Sequence, residues 1–307
     1  MDDAELKRLQ SLPLEEKVTM TKLRIAEWYD YWEGKVFVSY SGGKDSTVLL
    51  HIAREVCPDI PAVYTDTGLE FPEVRQHAIN TPNVTIVKPE MSFREVIKEH
   101  GFVYPSKDVA RVIRYAEKGS EWAVRKMNGL RCDTGEPNGY VRDRYGKWNF
   151  LLDAPFKISD ICCEIMKERP LKKFEREHGA KPIIGTMATE SLRRKRAYIN
   201  TGCNAYTQRR KRSAPLSFWT EQDVLQYIVD NDIKIASVYG EIIRDKKGKL
   251  HTTGEKRTGC MFCPIGCHLE KVNRFQRMKE NHPKIYDYCM NQLGMKDFLD
   301  YIGVKYT

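Results

Sequence analysis

The chain has 307 residues, with 51 Lys and Arg against 42 Asp and Glu, a formal net charge of +9 and 41 % hydrophobic content. That is enough for a full core in one large domain or two, while no apolar run approaches the roughly 18 residues of a membrane span. The acidic start Met-Asp-Asp-Ala-Glu lacks the basic and apolar regions of a signal peptide, so a cytoplasmic location with no membrane partner is expected, and the positive balance suits either nucleic acid or a small polyanion.

Residues 1–34 are predicted to be helical, with Leu6, Leu9, Leu12 and Leu14 in one apolar stretch and Leu23, Ile25, Ala26 and Trp28 in another. They are expected to cover the first strand or to form a subunit contact in a homodimer. Residues 35–66 read as strand, loop, helix, strand: Val36 to Val38, a polar turn, a helix from Thr47 to Val56, and a second strand from Ile60 to Tyr64. This βαβ unit predicts a parallel sheet.

The turn Ser41-Gly-Gly-Lys-Asp-Ser46 is the most informative stretch. Adjacent glycines let the backbone curl around an anion, and the helix that follows directs free N–H groups and its dipole to the same place. Lys44 adds a charge, and Ser41 and Ser46 add hydroxyls. The spacing differs from a Walker A loop, because Asp45 follows the lysine and the loop is one short turn. Further on, Thr65, Asp66 and Thr67 lie at the carboxyl end of the second strand, where ligands bind in open sheets. Asp66 is read as a Mg²⁺ or phosphate-positioning residue, or as the cap of a helix starting near Pro72.

A strand over Val84–Val87 and a helix over Ser92–His100 follow. Residues 101–157 form a basic insertion, predicted as one long helix over Val109–Leu130 and a small hairpin over Tyr140–Trp148. It is read either as an acceptor-recognition element on the ligand side of the sheet or as a solvated surface. A helix runs from Cys162-Cys163 to His178, disturbed by Pro170, and Lys181–Thr186 is a strand. Gly185, Glu190, Ser191 and the run Arg193–Arg196 come next, placed to meet phosphates. Thr220 caps a helix over Glu221–Asp230, Asp245–Lys249 is a hairpin turn, and the tail is helical near 272–280, 285–293 and 297–304. The domains expected are a helical segment over 1–34, a nucleotide-binding α/β domain over 35–230, and a cysteine-containing helical region over 231–307.

An odd number of cysteines, nine, argues against a disulfide framework and toward metal or redox work. Cys260 and Cys263 have the spacing of a turn that offers two thiolates to one centre, and Cys162 and Cys163 are adjacent. Zn²⁺ and an iron–sulfur cluster are both open. Neighbouring side chains diverge, which suits a cluster better than one ion. Cys267 is an alternative ligand, a reactive thiol or a structural one; Cys57, Cys132 and Cys289 read as small hydrophobes.

Together these residues resemble the adenylyl-sulfate and 3′-phosphoadenylyl-sulfate (PAPS) reductase family of PP-loop ATP pyrophosphatases, over roughly residues 30–270. The motifs that carry the likeness are Ser41–Ser46, Tyr64–Gly68 with Phe71-Pro72-Glu73, Gly185 with Glu190, Ser191 and Arg194, and Pro215-Leu216 with Trp219–Val224. The resemblance implies an adenine nucleotide α-hydrolase-like fold, a parallel twisted sheet flanked by helices. It also implies nucleotide contacts from Ser39, Ser41, Gly42, Gly43, Lys44, Asp45, Ser46, Thr65, Asp66, Gly185, Glu190, Ser191 and Arg194. Cys162, Cys163, Cys260 and Cys263 look like the [4Fe-4S] ligands of the adenylyl-sulfate branch.

The family's reductases carry a Glu-Cys-Gly segment with the sulfite-accepting cysteine. No such segment occurs in this sequence, and Met187 stands where arginine is frequent. Two reactions therefore compete. One is reduction of adenylyl sulfate or PAPS to sulfite, in which Cys203, Cys267 or Cys289 attacks sulfur and a thioredoxin-like partner completes the reduction. The other is ATP- and Mg²⁺-dependent adenylation of an acceptor such as tRNA or DNA before thiolation, with a cysteine desulfurase-type sulfur donor. Lys44, Asp45, Asp66 and Arg194 are the catalytic candidates common to both. A non-catalytic nucleotide-binding protein is the third reading.

Overall fold

A computed structural model describes residues 2–307. Two helices, α1 (Asp3–Gln10) and α2 (Leu14–Tyr31), precede β1 (Val36–Tyr40). Helix and strand then alternate through α3 (Lys44–Val56), β2 (Ala62–Thr65), α4 (Pro72–Asn80) and β3 (Val84–Val87). Helices α5 (Phe93–His100), α6 (Lys107–Glu117), α7 (Glu121–Met127) and α8 (Gly139–Arg144) come next. After them run α9 (Arg169–His178), β4 (Lys181–Ile184), α10 (Leu192–Thr201), β5 (Asn204–Ala205), β6 (Arg212–Ser213), α11 (Glu221–Asp230), β7 (Ile242–Arg244) and β8 (Leu250–Thr252). The chain closes with α12 (Arg274–Asn281), α13 (Pro283–Asp287) and α14 (Met295–Tyr301). None of these helices is long and apolar enough to cross a membrane.

The chain divides into two compact units. The first comprises residues up to Asp66, Glu70–Lys88 and Pro170–Thr258. Its sheet has the order β3-β2-β1-β4-β6-β5, parallel except for the β5–β6 pair. β1 lies centrally, Val38 facing Ala62 on one side and Ile183 on the other. A central parallel strand is covered on both faces, which is why Val36, Phe37 and Val38 form an unbroken apolar run with at most 1 % exposure. Ile25 and Trp28 of α2, Val48, Leu49 and Ile52 of α3, and Val224 and Ile228 of α11 share one apolar core with β1.

One of the buried charges in this unit ties its helices together. The Lys17 ammonium, 2 % exposed, donates to the Gln10 carbonyl at 2.7 Å and to Asp223 at 2.8 Å. Asp223 also accepts from the Thr220 amide and hydroxyl at the start of α11, so one carboxylate fixes both α2 and the cap of α11.

The second unit comprises Thr67–Leu69, Pro89–Arg169 and Gly259–Thr307. Among its described residues, extended pairing is limited to the isolated bridges Phe102–Ile158 and Leu130–Pro137. Helices pack around Phe102, Tyr104, Val112, Ile113, Met127, Leu151 and Phe298.

Two local expectations are corrected here. The single helix over Val109–Leu130 is two, because α6 ends at Glu117 and α7 restarts at Glu121. The hairpin over Tyr140–Trp148 is instead α8 followed by a 3₁₀ turn over Gly146–Asp153. Asn138 explains the second: its side chain accepts the Val141 N–H at 3.0 Å and starts a helix, and Tyr145 and Leu151 turn inward without the two-residue period of a strand. The helix beginning at Cys162 reaches α9 through a π turn over Glu164–Glu168. Its wider register directly precedes Pro170, which has no N–H to continue an α-helical ladder.

Removing the Asp223 carboxylate strands the Lys17 ammonium, and breaking a buried pair costs about 3–5 kcal/mol. Asp223→Ala is expected to lower the urea unfolding free energy by that amount, read by tryptophan fluorescence. Lys17→Met combined with Asp223→Leu is expected to recover most of it. Equal losses in the single and double variants would rule out the buried pair as the cause.

Candidate functional site

β1 ends at Tyr40, and the chain reverses through Ser41, Gly42 and Gly43 into α3. Gly42 has φ +71°, and a Cβ there would lie 2.7 Å from the Val74 carbonyl oxygen, so no other residue fits. The turn is tied internally. Ser46 Oγ donates to the Gly43 carbonyl at 2.9 Å and lies 2.9 Å from Ser41 Oγ, and Thr47 Oγ1 donates to the same carbonyl at 3.0 Å. Gly43 is the N-cap of α3 and supplies no side-chain cap. The first helical amide, of Lys44, donates instead to the Tyr239 hydroxyl at 3.1 Å, and that hydroxyl lies 2.6 Å from Thr258 Oγ1.

Lys44 is 3 % exposed. Its ammonium donates to the Lys256 carbonyl at 3.2 Å and lies 3.5 Å from Asp45 and 3.4 Å from Glu221. Burial works against its charge, but Asp45, Tyr239 and Glu221 outweigh it, and its pKa is raised. Asp45 is also raised, first by burial, with Glu190 and Glu221 adding repulsion against the opposing pull of Lys44. Asp45 Oδ1 is buried and lacks a hydrogen-bond partner.

The other candidates of this unit sit at strand ends. Ser39 lies on β1 between Val63 and Ile184. Thr65 ends β2 with a buried hydroxyl that has no hydrogen-bond partner. Asp66 is gripped by Arg75, whose Nε and Nη2 donate to its two oxygens at 2.9 and 2.8 Å. It does not cap α4, whose N-cap is Phe71. Gly185 follows β4, and a Cβ there would lie 3.2 Å from the Asp45 carbonyl. Glu190 accepts the Met187 N–H at 2.8 Å and pairs with Arg194. Ser191 caps α10 by accepting the Arg194 N–H at 3.3 Å. The Arg194 side chain is 42 % exposed.

Tyr239, Thr258 and the Lys256 carbonyl were invisible to motif reasoning. They reach the turn from about 200 residues away, and no spacing signal links position 239 to position 44.

In the second unit, Cys162, Cys163, Cys260 and Cys263 line one pocket. The rest of its wall is mainly apolar, with Leu69, Phe93, Ile97, Phe102, Val103 and Phe262. Burial raises the Cys162 thiol, and the neighbouring charges of Cys163, Cys260 and Cys263 raise it further. Cys263 is pushed up to about 12, again first by burial, while the Ile265 amide and Arg274 pull the other way. Among the described residues, no group of three or more His, Cys, Asp or Glu is placed to hold a metal ion.

The remaining sulfur candidates are enclosed. Cys203, Cys267 and Cys289 are 7 %, 1 % and 0 % exposed. Burial pushes them up to about 12, 11 and 12. An attacking thiol needs access and a thiolate, and the fold withholds both from these three.

The sequence matches the phosphoadenosine phosphosulfate reductase domain over residues 35–121 and 138–270, more than half of the chain, and the protein belongs to that family. An uncharacterized protein of Methanocaldococcus jannaschii is 23 % identical over 88 % of this chain and 51 % of its own length. Adenosine 5′-phosphosulfate reductase of Bacillus cytotoxicus is 23 % identical over 81 % of this chain and 82 % of its own. Sulfate adenylyltransferase subunit 2 of Photorhabdus laumondii is 27 % identical over 84 % and 76 %. Against other relatives the match is shorter, spanning 20 % of a Shigella dysenteriae phosphoadenosine 5′-phosphosulfate reductase and 58 % of a Salmonella arizonae sulfate adenylyltransferase subunit 2. Among solved structures, phosphoadenylyl-sulfate reductase from Candida auris superposes with a TM-score of 0.41 and 15 % identity, over 81 % of this chain and 98 % of that one.

If the turn before α3 binds phosphates, Lys44→Ala removes a charge-assisted contact worth about 1.5–3 kcal/mol. Calorimetric titration with ATP and with adenylyl sulfate is expected to show that loss while the far-UV spectrum is unchanged. Wild-type affinity in the variant would remove Lys44 from the site.

Proposed function

We propose that this protein is an enzyme that binds an adenine nucleotide at Ser41–Ser46 and carries out sulfur chemistry on it, in the leading reading the reduction of adenylyl sulfate or PAPS to sulfite. The observation that carries the reading is the turn itself. Gly42 admits no side chain, and it opens onto a helix whose first residue is a buried lysine. A buried cation at the positive end of a helix is an arrangement that an anion relieves. Phosphate oxygens would take the N–H of Lys44 in place of the Tyr239 hydroxyl, and Lys44 would neutralise their charge. Arg194, exposed at the start of α10 and paired with Glu190, would exchange that partner to close over them. Ser39, Thr65 and Asp66 lie on β1, at the end of β2 and just beyond it.

The adenylyl-sulfate branch is favoured by the cysteine pocket. Four thiols in one largely apolar cavity fit a [4Fe-4S] cluster held by Cys162, Cys163, Cys260 and Cys263. Such a cluster supplies a redox-active iron centre whose potential follows from the dryness and hydrogen bonding of its surroundings. The Ile265 amide, which favours the charged form of Cys263, is a contact of that kind. Buried thiols that are protonated alone exchange their protons for metal on loading. Cys267 is the alternative ligand, and zinc the alternative metal.

A second reading, ATP-dependent activation of an acceptor before thiolation, is favoured by one observation. Cys203, Cys267 and Cys289 are buried, so none is presented as the thiol that would attack a sulfonucleotide. In that reaction an acceptor oxygen attacks the α-phosphorus, Mg²⁺ accompanies the nucleotide, and the turn neutralises the departing pyrophosphate.

The protein purified without oxygen decides between them. With adenylyl sulfate, with or without its 3′-phosphate, and a dithiol reductant, sulfite is the expected product. Pyrophosphate from ATP and Mg²⁺, with no sulfite, would transfer the assignment to the second reading. Bound nucleotide with neither product would end the enzymatic one. Iron and sulfide are expected in equal amounts, about four of each per chain, for a [4Fe-4S] site. Cys→Ser at 162, 163, 260 or 263 should lower both, and the change at 267 should leave them intact. One zinc and no sulfide in the wild type would defeat the cluster.

A further inference from the structure

The second unit carries a row of aromatic rings at its surface that neither the phosphate turn nor the cysteine pocket uses. Tyr140, Phe150 and Tyr301 are 68 %, 42 % and 38 % exposed. Phe150 and Tyr301 stack with centroids 6.1 Å apart, and Trp148 continues the row 6.2 Å from Phe150. The row is held in place. The Tyr301 hydroxyl donates to the Phe150 carbonyl at 3.0 Å, and Trp148 is backed edge-on by Tyr104 and His268 at 5.4 and 5.2 Å.

A cation accompanies the row: Lys147 lies 5.2 Å from the centre of the Trp148 ring, whereas Arg144, 5.8 Å from the Tyr140 ring, is already paired with Asp108 at 2.9 Å. Lys147 forms no ion pair among the described residues. Over residues 107–150, ten Lys and Arg face six Asp and Glu.

We propose that the surface formed by Lys147, Trp148, Phe150 and Tyr301 is a stacking platform for single-stranded nucleic acid. Every base has a flat face that stacks on an exposed aromatic ring without regard to sequence, and the cations beside the rings meet the phosphates between successive bases. A duplex keeps its bases stacked inside and has no use for exposed rings. A protein partner would cover the rings as well, but Lys147 beside Trp148 and the excess of Lys and Arg over Asp and Glu in the segment that carries these rings favour a polyanion. The inference stands on this surface alone and is independent of which nucleotide the phosphate turn takes.

Fluorescence anisotropy with labelled 20-nucleotide oligo-dT, oligo-U and a mixed-sequence DNA duplex tests it. Single strands are expected to bind more tightly than the duplex, with affinity falling as salt rises at a log–log slope of about 0.7 per phosphate contacted. The two single strands tell DNA from RNA as the source. Phe150→Ala with Trp148→Ala should weaken binding at least about tenfold. Lys147→Glu, at an exposed position, should weaken it too and guards against misfolding of the double variant. Either variant should leave iron content and affinity for the small nucleotide unchanged. No binding of any single strand would overturn the platform. So would equal binding of single strand and duplex with no loss in the aromatic variant. Self-association abolished by these substitutions, with oligonucleotide binding unaffected, would make the surface a protein interface instead.

Discussion

Lys44 carries its charge where two effects oppose it. It is buried, and it is the first residue of α3, where the helix dipole is already positive. The first unit is arranged to hold that cation in place. Asp45 and Glu221 supply negative charge, Lys256 supplies a carbonyl from the stretch after the β7–β8 hairpin, and the Tyr239 hydroxyl takes the free amide of Lys44 itself. These partners come from α3, α11 and the segment after it. The positive charge survives burial only because all of them converge, and its position follows from the strand, turn and helix before it.

The convergence also explains the state of Asp45. Its carboxyl is held above its ordinary pKa because burial and two further carboxylates outweigh one lysine. An acid so placed is costly to ionise, and cost of this kind, kept beside a phosphate-sized turn, is frequent at functional sites. Asp66, by contrast, is fully engaged with Arg75 through both oxygens. The two aspartates looked alike in sequence, each polar and near a strand end. Their surroundings separate them, one short of partners and one paired.

The cysteine pocket is organised by a different constraint. Cys162 and Cys163 open a helix, whereas Cys260 and Cys263 lie in a turn. Largely apolar side chains line their pocket, and burial holds the Cys162 and Cys263 thiols protonated unless something else takes the proton's place. The π turn at Glu164–Glu168, directly after the cysteine pair, is the one stretch where this helix departs from α geometry before α9. Such wide turns collect at functional sites, and here the turn also accommodates Pro170.

The sequence alone determined the parts that depend on local rules. The unbroken apolar run of β1, the two glycines, and the alternation of strand and helix through residue 87 specify a parallel sheet with a phosphate-sized turn at its centre, because burial on both faces and positive φ leave few alternatives. Thr220 and Ser92 were legible as helix caps because a hydroxyl at that position accepts the N–H three residues on. The basic insertion was not. Charge and aromatic content there say nothing about period, so a hairpin was expected where Asn138 nucleates a helix. Only the tertiary structure decided which side chains meet: Tyr239 and Thr258 over the turn, Arg75 on Asp66, four cysteines around one cavity, and Cys203, Cys267 and Cys289 out of reach. Those outcomes depend on contacts between residues 9 to 195 positions apart, and on how much water the packing leaves around each, which no spacing along the chain encodes.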